Sequence, residues 1–71
     1  MNIESTVSGI VLQVLVAPGD QIGIDQEVVI VESMKMEIPV VAEITGTVGE
    51  VLVTEGDTIE EGDVLVSLRI S

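Results

Sequence analysis

Displaced by 37 residues, so that Gly9 falls on Gly46, the sequence matches itself at Val11 with Val48 and at Val14-Leu15-Val16 with Val51-Leu52-Val53. The match continues at Gly19-Asp20 with Gly56-Asp57 and at Ile22 with Ile59. Such a repeat implies two equivalent units, each too short to bury its own apolar face and each obliged to pack against the other. The apolar runs are short, rich in Val and Ile, and interrupted every several residues by Gly, Asp or Pro. That punctuation belongs to strands and turns, not to helices. The expected product is an all-β flattened barrel or sandwich with approximate twofold symmetry.

Local chemistry sharpens this picture. Pro18-Gly19-Asp20 is a turn, because Pro presets φ and Gly supplies the positive φ that other residues resist; Glu55-Gly56-Asp57 is its counterpart. Val11, Val14 and Val16 do not share one parity, and neither do Val48, Val51 and Val53, so a bulge or bend is expected after Val11 and after Val48, with Gly46 and Gly49 able to accommodate it. Glu27 to Val31 and Asp63 to Leu68 read as buried strands. Ile38 to Ala42 reads as a strand whose Pro39 must sit where no ladder donor is needed. A short tail, Arg69-Ile70-Ser71, ends the second unit.

The chain has 71 residues with no Cys and no His, so neither disulfides nor a Cys/His metal centre can hold it together, and residues 1–71 are expected to form a single domain. Hydrophobic residues make up 46% of it without one Phe, Tyr or Trp. The core must be thin and aliphatic, which suits β-branched side chains between two sheets. A formal net charge of −11 opposes binding to phosphate backbones and anionic lipid surfaces, and excludes nucleic acid as a partner. No apolar stretch approaches the length of a membrane span and Met1 to Ser5 resemble no targeting segment, so a cytoplasmic protein, monomeric in isolation, is expected. Without His, Cys or Tyr the chain is poorly equipped for acid–base or nucleophilic catalysis, and its thirteen acids read as a solvating coat. No calcium-loop spacing occurs among them, and no metal site is expected.

One segment escapes the repeat. Glu32-Ser33-Met34-Lys35-Met36-Glu37 lies between the two units and has no equivalent in the second. Its placement between two strand runs predicts a hairpin with Met34-Lys35 at or next to the tip. Lys35 is the only lysine, and apart from the terminal amine the only primary amine available for acylation. A lysine amine attacks only when neutral, a form scarce at neutral pH, so reaction there requires an external enzyme that presents an activated acyl group. Lys35 is thus a candidate substrate, not a catalyst. Exposed methionines on both sides reduce solubility without structural gain unless partners read them, and soft, unbranched Met suits several different partners. The plainer alternative is an ordinary exposed lysine whose neighbouring methionines cap the core.

This segment resembles the attachment motif, commonly Glu-Ala-Met-Lys-Met, of biotin carboxyl carrier domains, within the biotinyl/lipoyl attachment family. Gly9, Val14, Gly19-Asp20, Gly46, Val48, Val51, Gly56-Asp57, Gly62 and Leu65 fall where that family places its turn and core residues. The resemblance implies two four-stranded antiparallel sheets in a barrel-sandwich hybrid, with the attachment lysine on an exposed hairpin turn. It also implies that Lys35 receives biotin from a biotin protein ligase. The domain would then shuttle a carboxyl group between a biotin carboxylase and a carboxyltransferase, as a non-catalytic carrier. Met34 and Met36, with Glu32, Ser33 and Glu37, are then the positions the ligase and carboxylase recognise. Ser33 stands where Ala is commonest, and Asp25, the counterpart of Gly62, stands where Gly is frequent, so Asp25 is expected in left-handed geometry. The inserted thumb of some bacterial carriers has no room between Ser8 and Ile22. The nearest rival is a lipoyl carrier for 2-oxoacid dehydrogenases, or a dual biotin/lipoate acceptor. Lipoyl motifs typically carry Asp before the lysine and Ala or Val after it, so the Met pair favours biotin.

Overall fold

The computed structural model describes residues 1–69, so Ile70 and Ser71 of the tail lie outside the described residues. Eight strands are present: β1 (Asn2–Glu4), β2 (Gly9–Val14), β3 (Gln21–Ile22), β4 (Glu27–Ser33), β5 (Met36–Val41), β6 (Gly46–Val51), β7 (Thr58–Ile59) and β8 (Val64–Arg69). They form two four-stranded antiparallel sheets, ordered β1-β8-β6-β3 and β5-β4-β2-β7, with no helix among the described residues. The 37-residue displacement carries one sheet onto the other. Val11 opposite Val31 becomes Val48 opposite Leu68, and Ile22 opposite Gly46 becomes Ile59 opposite Gly9.

Each half is closed by the other. Gly19 N donates to Val48 O at 2.8 Å, and its equivalent Gly56 N donates to Val11 O at 2.8 Å. Val48 N in turn donates to Asp20 O, and Val11 N to Asp57 O, at 2.8 and 2.9 Å. Both of these turns are therefore pinned by a strand of the opposite half, which is why neither unit can satisfy its backbone alone. The buried core obeys the same symmetry: Val11 with Val48, Ile22 with Ile59, Val28 with Leu65, Val29 with Val66 and Val31 with Leu68. These aliphatic side chains meet between the sheets, the thin core that a chain without aromatics can fill.

The expected bulges are present. Pairing slips between Val11 and Gln13 against β4, and between Val48 and Glu50 against β8. Gly49 sits at the second slip, whereas Leu12 occupies the equivalent place in the first, so a bulge here does not require glycine. Gly46 lies outside the slip, paired with Ile22. Pro39 is exposed on β5, an edge strand, where its missing N–H removes no ladder bond.

Strand β1 was not expected. It completes the second half as β5 completes the first, because Ile3 is the counterpart of Val40 and both are buried. The pairings coincide: Ile3 with Val66 and Glu4 with Val64 in one sheet, Val40 with Val29 and Val41 with Glu27 in the other. The N-terminal strand thus takes beside β8 the place that β5 takes beside β4. Ser5, the counterpart of Ala42, is buried, and its hydroxyl donates to Val7 O at 2.5 Å while accepting from Val7 N at 3.2 Å.

Three of the acids do more than coat the surface. Asp20 Oδ2 accepts from Ala17 N, and Asp57 Oδ2 from Thr54 N, both at 2.9 Å. Asp63 Oδ2 accepts from Glu60 N at 2.8 Å, and in the first half Gln26 Oε1 does the same for Gly23 N at 3.0 Å. Side-chain oxygens thereby occupy turn donors that would otherwise depend on water.

Candidate attachment site

β4 is an interior strand, held by β2 on one side and β5 on the other. Its inward residues Val29 and Val31 are fully buried. Beyond them β4 and β5 leave the core as a hairpin in which Val31 faces Ile38, Glu32 faces Glu37 and Ser33 faces Met36. Met34 and Lys35 are the two residues of its loop. Their φ angles are +52° and +65°, both in the left-handed region that a two-residue type I′ turn requires. Asn-Gly is the preferred pair for such a turn; side chains with a Cβ are held there at a cost of roughly 1 kcal/mol or more each. Both residues are unbranched at Cβ, the least unfavourable choice after Gly, Asn and Asp.

The strained tip is fully solvated. Met34 is 92% exposed and Met36 64% exposed, so neither caps the core, and that plainer reading of the methionines is overturned. Lys35 is exposed, and no side-chain hydrogen bond among the described residues engages it. Glu32 and Glu37 are exposed and directly opposite one another, a like-charge pair that the sheet itself does not reward. Ser33 is half-buried at the foot of the turn. The structure therefore gathers all six sequence-selected residues into one hairpin end.

Residues missed by the sequence analysis join them. A shallow open groove runs beside Lys35, lined among others by Thr6, Ser8, Ile10, Thr58, Glu60 and Glu61. The Glu61 N–H donates to Ser8 Oγ at 3.3 Å and ties its two walls together. The only advance signal was the repeat, which places β7 beside the start of β2. Gly9 is equally part of the site, because a Cβ there would run into the carbonyl oxygen of Glu32. No group of three or more His, Cys, Asp or Glu among the described residues is arranged to hold a metal ion.

What this arrangement can do is present one primary amine, between two thioethers, on a tip that a partner's active site could enclose. A covalent amide suits it: the amine is uncovered, and no contact of the fold would be broken by acylation. Comparison with known proteins agrees with this geometry. A family model described as "Biotin-requiring enzyme", for the biotin/lipoyl domain, matches residues 1–68. The biotin/lipoyl attachment protein of Bacillus subtilis (strain 168) is 52% identical over 71 residues, covering 100% of this chain and 97% of that protein. Among solved structures, the urea carboxylase of Kluyveromyces lactis matches with a TM-score of 0.90 and 30% identity over 97% of this chain, which spans 6% of that much longer one. The lipoyl domain of the 2-oxoglutarate dehydrogenase complex from Azotobacter vinelandii matches with a TM-score of 0.73 and 31% identity, covering 90% of this chain and 81% of that domain. The chain belongs to the biotin/lipoyl attachment domain family, whose members include domains of carboxylases.

Proposed function

We propose that this protein is a biotin carboxyl carrier, acylated on Lys35 Nζ by a biotin protein ligase. The observation that carries the proposal is the solvated Met34-Lys35 turn, held in left-handed geometry at the tip of the β4–β5 hairpin. In the acylation step the Lys35 amine, deprotonated in the ligase, attacks the carbonyl carbon of an acyl-adenylate; the new C–N bond forms as the C–O bond to AMP breaks. One positive charge is lost, and the net charge moves from −11 to −12.

Biotin attached there supplies the carboxyl-accepting group, for which the chain has no equivalent. The rest of the work is positional. Interior strand β4 and its buried Val29 and Val31 keep the tip from folding back onto the core. Tethering then makes each meeting with a biotin carboxylase or a carboxyltransferase close to intramolecular. Met34 and Met36 provide the apolar surface that ligase and carboxylase share. Glu32 and Glu37 flank it and favour partners with a basic face. Ser33, small and half-buried, lets the tip stand clear of the sheet. The chain itself performs no catalysis on this reading, and works in the cytoplasm.

Biotin is preferred to lipoate because Met stands on both sides of Lys35. Purified chain incubated with biotin protein ligase, ATP, magnesium and biotin is expected to gain one biotinyl group by intact mass, and Lys35→Arg none. Acylation by lipoate ligase with none by biotin ligase would replace the proposal with its rival.

A further inference from the structure

The chain contains no Cys, His, Trp or Tyr, so its three methionines are the only side chains that a mild two-electron oxidant readily attacks. Exposure governs how fast a thioether reacts, and here none is protected: Met34 is 92% exposed, Met1 and Met36 each 64%. Two of the three flank Lys35. We propose that Met34 and Met36 are a reversible oxidation site, and that their conversion to sulfoxides by a peroxide switches off use of the neighbouring lysine. The second half of this proposal rests on Lys35 being the acylated residue.

The chemistry is self-contained once peroxide is supplied. The sulfur lone pair attacks one peroxide oxygen, a sulfur–oxygen bond forms as the O–O bond breaks, and the displaced oxygen leaves as water after taking up the transferred proton. Sulfur loses two electrons and the peroxide gains them. Each flexible apolar side chain becomes polar and chiral, with a strong acceptor oxygen. Neither methionine belongs to the core, so the fold has nothing to lose. A partner that encloses the turn in an apolar surface must instead desolvate one or two sulfoxides, beside carboxylates that already oppose each other across the hairpin. Recognition suffers while stability does not. Methionine sulfoxide reductases can reverse the change, one enzyme for each epimer.

The test uses the full unmodified chain, treated with hydrogen peroxide in the presence of free methionine as an internal clock, then desalted. Peptide mapping is expected to show one added oxygen on Met34 and on Met36 at rates close to that of the free amino acid, with an unchanged thermal midpoint. Biotin transfer by the ligase is expected to fall by about tenfold, the scale on which an enzyme site rejects an ill-fitting side chain, and to recover after both reductases with a thiol. A Met34→Leu/Met36→Leu double variant, whatever its own starting rate, is expected to show the same rate before and after peroxide. Methionines that survive while the clock is consumed would overturn the proposal. So would oxidised chain accepting biotin at the untreated rate, or an equal loss in the double variant. Untreated chain that takes up no biotin would instead defeat the proposed function, and the oxidation rates would remain readable on their own.

Discussion

Where β2 pairs with β4, Gly9 leaves no room for a Cβ, which would run into the Glu32 carbonyl oxygen; where β6 pairs with β8, a Cβ on the equivalent Gly46 would rest 3.5 Å from Leu68 Cδ1, an ordinary contact. The two halves match in core residues, bulges and turn hydrogen bonds, and part company at this strand pairing. The tighter one lies at the foot of the hairpin, and the looser one beside the end of β8. The turns tell the same story. Positive φ falls on glycine at Gly19, Gly56 and Gly62, and on Asp25 as the counterpart of Gly62, but at the hairpin tip it falls on Met34 and Lys35. Symmetry is kept where it serves folding and given up where side chains must be displayed.

The largest expected effect tests this strand pairing. Gly9→Ala should destabilise the protein by about 2 kcal/mol, as overpacking against backbone does, and Gly46→Ala by less than about 1 kcal/mol. Urea denaturation of the two variants measures the difference, and equal losses would erase the distinction between the halves. A smaller effect tests the symmetry itself. Asp20→Ala and Asp57→Ala each remove one turn hydrogen bond of the same length, and each should lower the thermal midpoint by about 4 °C. A shift twice as large in one as in the other would show that the halves bear unequal loads. The smallest effect lies at the tip. Met34→Asn puts a favoured residue at the first left-handed position and should add about 0.5 kcal/mol. The same change is expected to slow biotin transfer, so strain and recognition would be separated in one variant.

Much of this was legible before any coordinates. The repeat announced the twofold fold, mismatched parity announced the bulges, and Asp25 stands in left-handed geometry at φ +72°, as its replacement of Gly suggested. Strand β1 was hidden because Asn2-Ile3-Glu4 offers one apolar residue, and because Pro39 and Val41, the counterparts of Asn2 and Glu4, are chemically unlike them. The structural use of Asp20, Asp57 and Asp63 was hidden among thirteen acids, since a hydrogen bond to a backbone donor leaves no trace in composition. At the site the lysine and its neighbours could be picked out, because they interrupt the repeat. Their positive φ could not, as neither Met nor Lys advertises it. Thr6, Ser8, Glu60 and Glu61 come from two distant loops, and only the pairing of β7 with β2 brings them beside Lys35.

The central claim is that one amine on a strained, solvated turn is the acceptor, and that it is chosen for biotin. Co-expression with biotin protein ligase and lipoate ligase together, followed by peptide-mapped mass spectrometry, puts every amine and both cofactors in competition. The account predicts a biotinyl group on Lys35 and nothing on the amino terminus. A lipoyl group alone at Lys35, or acylation confined to Met1, would contradict it.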